Sequence, residues 1–124
     1  MSGFAYYNVN PRHNIEGDCV TRAIMTASGL QYYVVQNLLD LIADHCECEK
    51  LNVDCYGKLL ENILEYRLFY CDHGETVADI ADRYPNNIVL IRIDGHLTVS
   101  VYGTIVDLWD SAEEYVDRYW IVQR

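Results

Sequence analysis

Cys19 stands where a reactive thiol would stand. The stretch N-I-E-G-D-C-V-T-R, residues 14–22, runs straight into the helix formers A-I-M-T-A. Asp18 is a suitable N-cap, so Cys19 opens the helix. A buried structural cysteine needs no such approach. A nucleophile gains from it, because the unsatisfied N–H groups of a helix start favour the thiolate over the thiol. A thiolate then needs an imidazole to share its proton, and the imidazole needs a group to orient it.

His96 and Asp107 supply that pair. If Tyr102-Gly103 forms a two-residue turn, Val101 faces Thr104, Val99 faces Val106, Thr98 faces Asp107 and His96 faces Trp109. Alternation puts His96, Thr98, Ser100, Ile105, Asp107 and Trp109 on one face and Asp110 on the other. Asp107 is then a diagonal neighbour of His96, about 7–8 Å away between backbones and within side-chain reach. A carboxylate there fixes the imidazole tautomer and stabilises the imidazolium. Trp109 is placed to cover that hydrogen bond, and Gly95 leaves space just before His96. A helix carrying the thiol and a sheet carrying the His–Asp pair make a Cys-His-Asp nucleophilic constellation.

The elements that must position these groups follow from periodicity. Residues 1–17 have no helical period and read as an extended arm, where Tyr6 and Tyr7 could line a cleft. A helix over Cys19–Ser28, closed by Gly29, buries Val20, Ala23, Ile24 and Ala27 at three- and four-residue steps. A second helix spans Tyr32–Ala43, with apolar residues nearly around its axis, as in a sandwiched helix. Cys46–Asp54 reads as a loop, Tyr56–Tyr66 as a third helix and Leu68–Cys71 as a short strand. Thr76 caps a helix, V-A-D-I-A-D-R-Y, that Pro85 stops. The period then changes to two in N-I-V-L-I-R-I-D, H-L-T-V-S-V-Y and T-I-V-D-L-W, with W-I-V a further strand. Helices followed by an antiparallel meander define a single α+β domain over residues 1–124.

Composition bounds the rest. The chain is 51% hydrophobic with only 2 prolines, enough for an ordinary core. No apolar run reaches the ~18 residues that span a bilayer, and the first residues lack a charged start followed by an apolar core, so a cytoplasmic protein is expected. The net charge of −10 argues against nucleic acid as a partner, since phosphate neutralisation needs Lys and Arg. It suits a soluble enzyme with a solvated acidic surface or a decoy that imitates the charge of DNA. Five cysteines, irregularly spaced, argue against a disulfide framework. His45, Cys46, Cys48 and Cys55 could be read around zinc, but Cys46 and Cys48 are spaced too tightly for the usual pair. No metal or cofactor is expected. His45 and His73 fall in polar stretches with no role.

The blocks G-D-C-V-T-R-A-I, G-L-Q-Y-Y-V-V-Q-N-L-L, T-V-A-D-I-A-D-R-Y-P-N-N and G-H-L-T-V-S-V-Y-G-T-I-V-D-L-W-D-S, with Y-W near residue 120, resemble the small papain-like (clan CA-type) cysteine-peptidase-like proteins of phages and bacteria. They keep their order over most of residues 14–122. The resemblance implies a papain-like fold, with Cys19 as nucleophile, His96 as general base and Asp107 as orienting group; D-L-W resembles the Asn-Ser-Trp step of papain. Papain-like enzymes also place a Gln a few residues before the cysteine for the oxyanion. This chain has His13-Asn14 instead. Asn14 can donate that bond beside the Cys19 amide, with His13 the competitor by spacing. Arg22, one turn after Cys19, either supports the thiolate or substrate, or anchors the helix through an ion pair.

Two functions are therefore expected. The first is a thiol hydrolase or acyl-transfer enzyme acting on a peptide, isopeptide or amide bond of a protein or peptide substrate. The second is a catalytically silent papain-fold binder, such as a phage-encoded inhibitor of a host protein, working in the host cytoplasm.

Overall fold

The computed structural model describes residues 3–6, 19–71 and 74–122. Four helices and a six-stranded mixed sheet in this region form an α+β fold. The strands are β1 (Gly3–Tyr6), β2 (Arg67–Tyr70), β3 (Ile88–Ile93), β4 (His96–Val101), β5 (Thr104–Asp107) and β6 (Val116–Ile121), in the order β1-β5-β4-β3-β6-β2. The sheet is not purely antiparallel, as the sequence had suggested. β1 adds to the edge of β5 in parallel, with Tyr6 opposite Asp107. Its four residues are all exposed, so they show no alternation to mark them as a strand.

The helices are α1 (Cys19–Ser28), α2 (Tyr32–Cys46), α3 (Val53–Lys58) and α4 (Val77–Arg83). Alternation along the strands divides the core between the two faces of the sheet. Val20, Ala23, Ile24 and Ala27 of α1, with α2 and α3, pack on Leu90, Leu97, Val99 and Trp120. On the opposite face Val77, Ile80 and Ala81 of α4 pack on Val89, Ile91, Ile93, Ile105 and Tyr119. Burial of these side chains stabilises the fold by about 1.5–3 kcal/mol for each large aliphatic or aromatic residue.

Local chemistry sets the ends. Gly29 takes φ +77 and its N–H bonds back to the Met25 carbonyl, closing α1. Thr76 and Asp79 form a reciprocal capping box on α4. Tyr102 and Gly103 both have positive φ, a type I′ turn that fixes the β4–β5 register at Val101 opposite Thr104.

Other elements depart from the expected bounds. α2 continues to Cys46, and it is not sandwiched: Val35, Leu39 and Ile42 are buried while Val34 and Leu41 are exposed. The loop ends early because the Asn52 side chain accepts the Asp54 N–H and starts α3 at Val53. The third helix then widens into a π-helical segment over Leu59–Ile63. Cys48 and Cys55 are bonded, a disulfide that the irregular cysteine spacing did not lead one to expect. An odd cysteine count says nothing about which two the fold brings together.

Candidate active site

The β4–β5 ladder is the key to the site. Its last pair is Val99 opposite Val106, and Asp107 ends β5. Beyond that point the two strands separate, and the ring of Trp109 reaches His96 through a bend rather than through ladder pairing.

Across the two-residue turn Asp94-Gly95, Ile93 pairs with His96 and Arg92 with Leu97. A two-residue hairpin closes on a hydrogen-bonded pair, so the next pair has its N–H groups pointing outward. The Leu97 N–H therefore points away from β3, toward the side β5 has left. The start of α1 brings the Cys19 thiol to this opening, where the Leu97 N–H favours its thiolate form. The Leu108 N–H, lying past the last ladder pair, turns onto Asp107 Oδ1 at 2.7 Å.

His96 Nε2 meets Asp107 Oδ2 at 2.6 Å, and the two side chains keep only 10% and 7% of their exposure. Charge-assisted bonds of this length are strong. With Nε2 held by the carboxylate, Nδ1 is the imidazole nitrogen left to interact with Cys19. Trp109 lies against His96 with ring centroids 5.0 Å apart and interplanar angle 39°. It shields one side of the imidazole while remaining 43% exposed itself.

The charges settle accordingly. Burial pushes the Cys19 thiol up, but the His96 hydrogen bond and the Leu97 N–H outweigh it, and its pKa falls below the ordinary thiol value. Burial disfavours the imidazolium, yet the bonds to Asp107 and Cys19 raise His96 to about 9. Asp107 resists burial through His96 and ends below the usual carboxylate range. The Thr98 hydroxyl lies close by and contributes, without completing a well-aligned bond of its own. Together these shifts favour a thiolate–imidazolium pair.

Arg22 is buried one turn along α1, and burial lowers its pKa although the field of Asp107 opposes that. Asn14, His13 and Asp18 lie outside the described residues, as do Tyr7 and His73. Tyr6 is described and does line a cleft. Among the described residues no His, Cys, Asp or Glu cluster is arranged to hold a metal ion; His45 and Cys46 are exposed and Cys48 is bonded to Cys55.

Two clefts meet at Cys19, Gly95 and His96. One, of about 540 Å³, is walled by Tyr6, Arg22, Leu108 and Trp109. The other, of about 390 Å³, is walled by Asn52, Val53, Tyr56, Arg92 and Asp94. Sequence reasoning had missed this second wall and the Leu97 amide. The amide was readable from the hairpin count at Asp94-Gly95; the wall depends on how α3 packs over β3, which no local pattern encodes.

No family model, no curated protein and no solved structure matches the chain. Among the described residues no helix is long and apolar enough to cross a membrane.

Proposed function

We propose that this chain is a papain-like thiol enzyme that hydrolyses or transfers an acyl group at a peptide, isopeptide or amide bond. One observation carries the reading: a thiol at a helix start, an imidazole beside it and a buried carboxylate hydrogen-bonded to that imidazole lie in series where two clefts meet. Cys19 Sγ attacks the acyl carbon, and electrons pass to the carbonyl oxygen. When that oxyanion collapses, the C–N bond breaks and His96 gives its proton to the departing amine. Water, deprotonated by the imidazole, or a second amine then resolves the thioester. Asp107 holds the ring and stabilises its charged form throughout. The Cys19 amide is available to the oxyanion, with Asn14 or His13 as second donor.

The papain-like assignment rests on the sequence blocks together with a nucleophile helix laid against a sheet bearing the base. The test is alkylation of Cys19 by iodoacetamide between about pH 4 and 9, located by peptide mapping, in the native chain and in His96→Ala. Rapid labelling well below the ordinary thiol range, lost in the variant, supports the enzyme. Labelling that follows an ordinary thiol and ignores the variant overturns it and leaves the binding-protein reading.

A further inference from the structure

Arg92 and Arg118 stand directly opposite each other on β3 and β6. Like charges in register repel, so the pair needs a counterion. A β-bulge supplies it. The register shifts between Arg92 and Ile93, leaving Asp117 as the extra residue on β6, and a bulge re-aims its side chain. Asp117 Oδ2 receives both cations, Arg92 Nη1 at 2.9 Å and Arg118 Nε at 2.6 Å.

Two guanidiniums sharing one carboxylate leave a surplus positive charge. Their side chains are 25% and 22% exposed, so water screens them only partly. The neighbouring Tyr56 phenol, buried and pushed up to about 12, remains neutral and offsets none of it. Arg92 lines the same cleft as Cys19. Asp94 also lines it, but as an exposed turn residue in high dielectric. In a protein of net charge −10, a half-buried cation short of one anion beside the thiol calls for a negative ligand.

We propose that the cleft of Asn52, Tyr56 and Arg92 binds a substrate carboxylate, so that Arg92 sets a preference for an acidic residue or a chain-terminal carboxylate next to the bond attacked. This rests on the thiol-enzyme reading, and the test keeps the two apart. Cys19 is alkylated by peptide chloromethyl ketones carrying Glu or Gln beside the reactive carbon, and by bromoacetyl-glycine as free acid or amide. The first pair probes a side-chain carboxylate and the second a terminal one.

The native chain should favour the acidic member of at least one pair by about tenfold, the scale of one charge-assisted hydrogen bond. Arg92→Gln should bring that ratio near one, and Asp117→Asn, which removes the internal anion, should raise it. A merely structural arginine would change the melting temperature and leave the ratio alone. If iodoacetamide labels Cys19 rapidly but neither pair is discriminated, the proposal fails and the enzyme reading stands. A ratio unchanged in Arg92→Gln also overturns it, and should that variant not fold, an unchanged ratio in Asp117→Asn does the same. Slow, ordinary labelling of Cys19 by every reagent sinks both.

Discussion

Asp107 controls the charge of its neighbours through one 2.6 Å bond. Because His96 titrates at about 9 in the fold and nearer 6.5 unfolded, its contribution to stability is complete below about 6.5 and is lost as pH rises through about 9. Cys19 has the opposite sign: its lowered pKa contributes above the unfolded thiol range and is lost as pH falls through its folded value. On the proposed thiol-enzyme reading, turnover should therefore decline as pH rises through about 9, when the imidazolium loses the proton that the leaving amine would take. Asp107→Asn should move that falling limb to lower pH and slow turnover by on the order of 10²-fold or more, read from a pH–rate profile. An unmoved limb would mean that the carboxylate does not hold the imidazole's charge. Trp109→Ala opens the same bond to water and should shift the limb the same way by less, since the carboxylate stays.

At the scale of elements, the capping box and the type I′ turn are the sharpest local determinants. Thr76→Ala should destabilise by about 1 kcal/mol in chemical denaturation, because the Asp79 N–H in the first turn of α4 loses its acceptor. Gly103→Ala should cost a similar ~1 kcal/mol: its φ of +85 strains any L side chain, although a Cβ would meet only ordinary contacts at Pro85 and Ala81. These were also the parts the sequence disclosed well. Helical spacing found α1, Thr76 found α4, and Tyr102-Gly103 with period-two flanks gave the register joining His96 to Asp107. What stayed hidden was long-range. An exposed four-residue β1 carries no alternation, the bulge at Asp117 looks like ordinary strand, and a Cys48–Cys55 bond depends on α3 starting at Val53. Trp109 met His96 as expected, but by leaving the ladder, and that departure frees the Leu97 amide for the thiol.

On the scale of the whole molecule, the Cys48–Cys55 bond ties α3 to the start of the loop after α2, and the enclosed Asn52 and Val53 wall the smaller cleft. Closing a loop of this length restricts the unfolded chain by roughly 2–3 kcal/mol. A reductant should lower the denaturation midpoint correspondingly, and Cys48→Ser should lower it in oxidising buffer and abolish the reductant's effect; equal midpoints in both states would deny the bond any part in stability. The same long-range construction also has a consequence in time. The thiol lies on α1, but its imidazole and carboxylate arrive on β4 and β5, most of the chain later. At synthesis rates of about 5–20 residues per second, Cys19 is made roughly 4–15 s before His96. Throughout that interval Cys19 is an ordinary thiol on α1, so the thiolate–imidazolium pair forms only after β4 and β5 have been made.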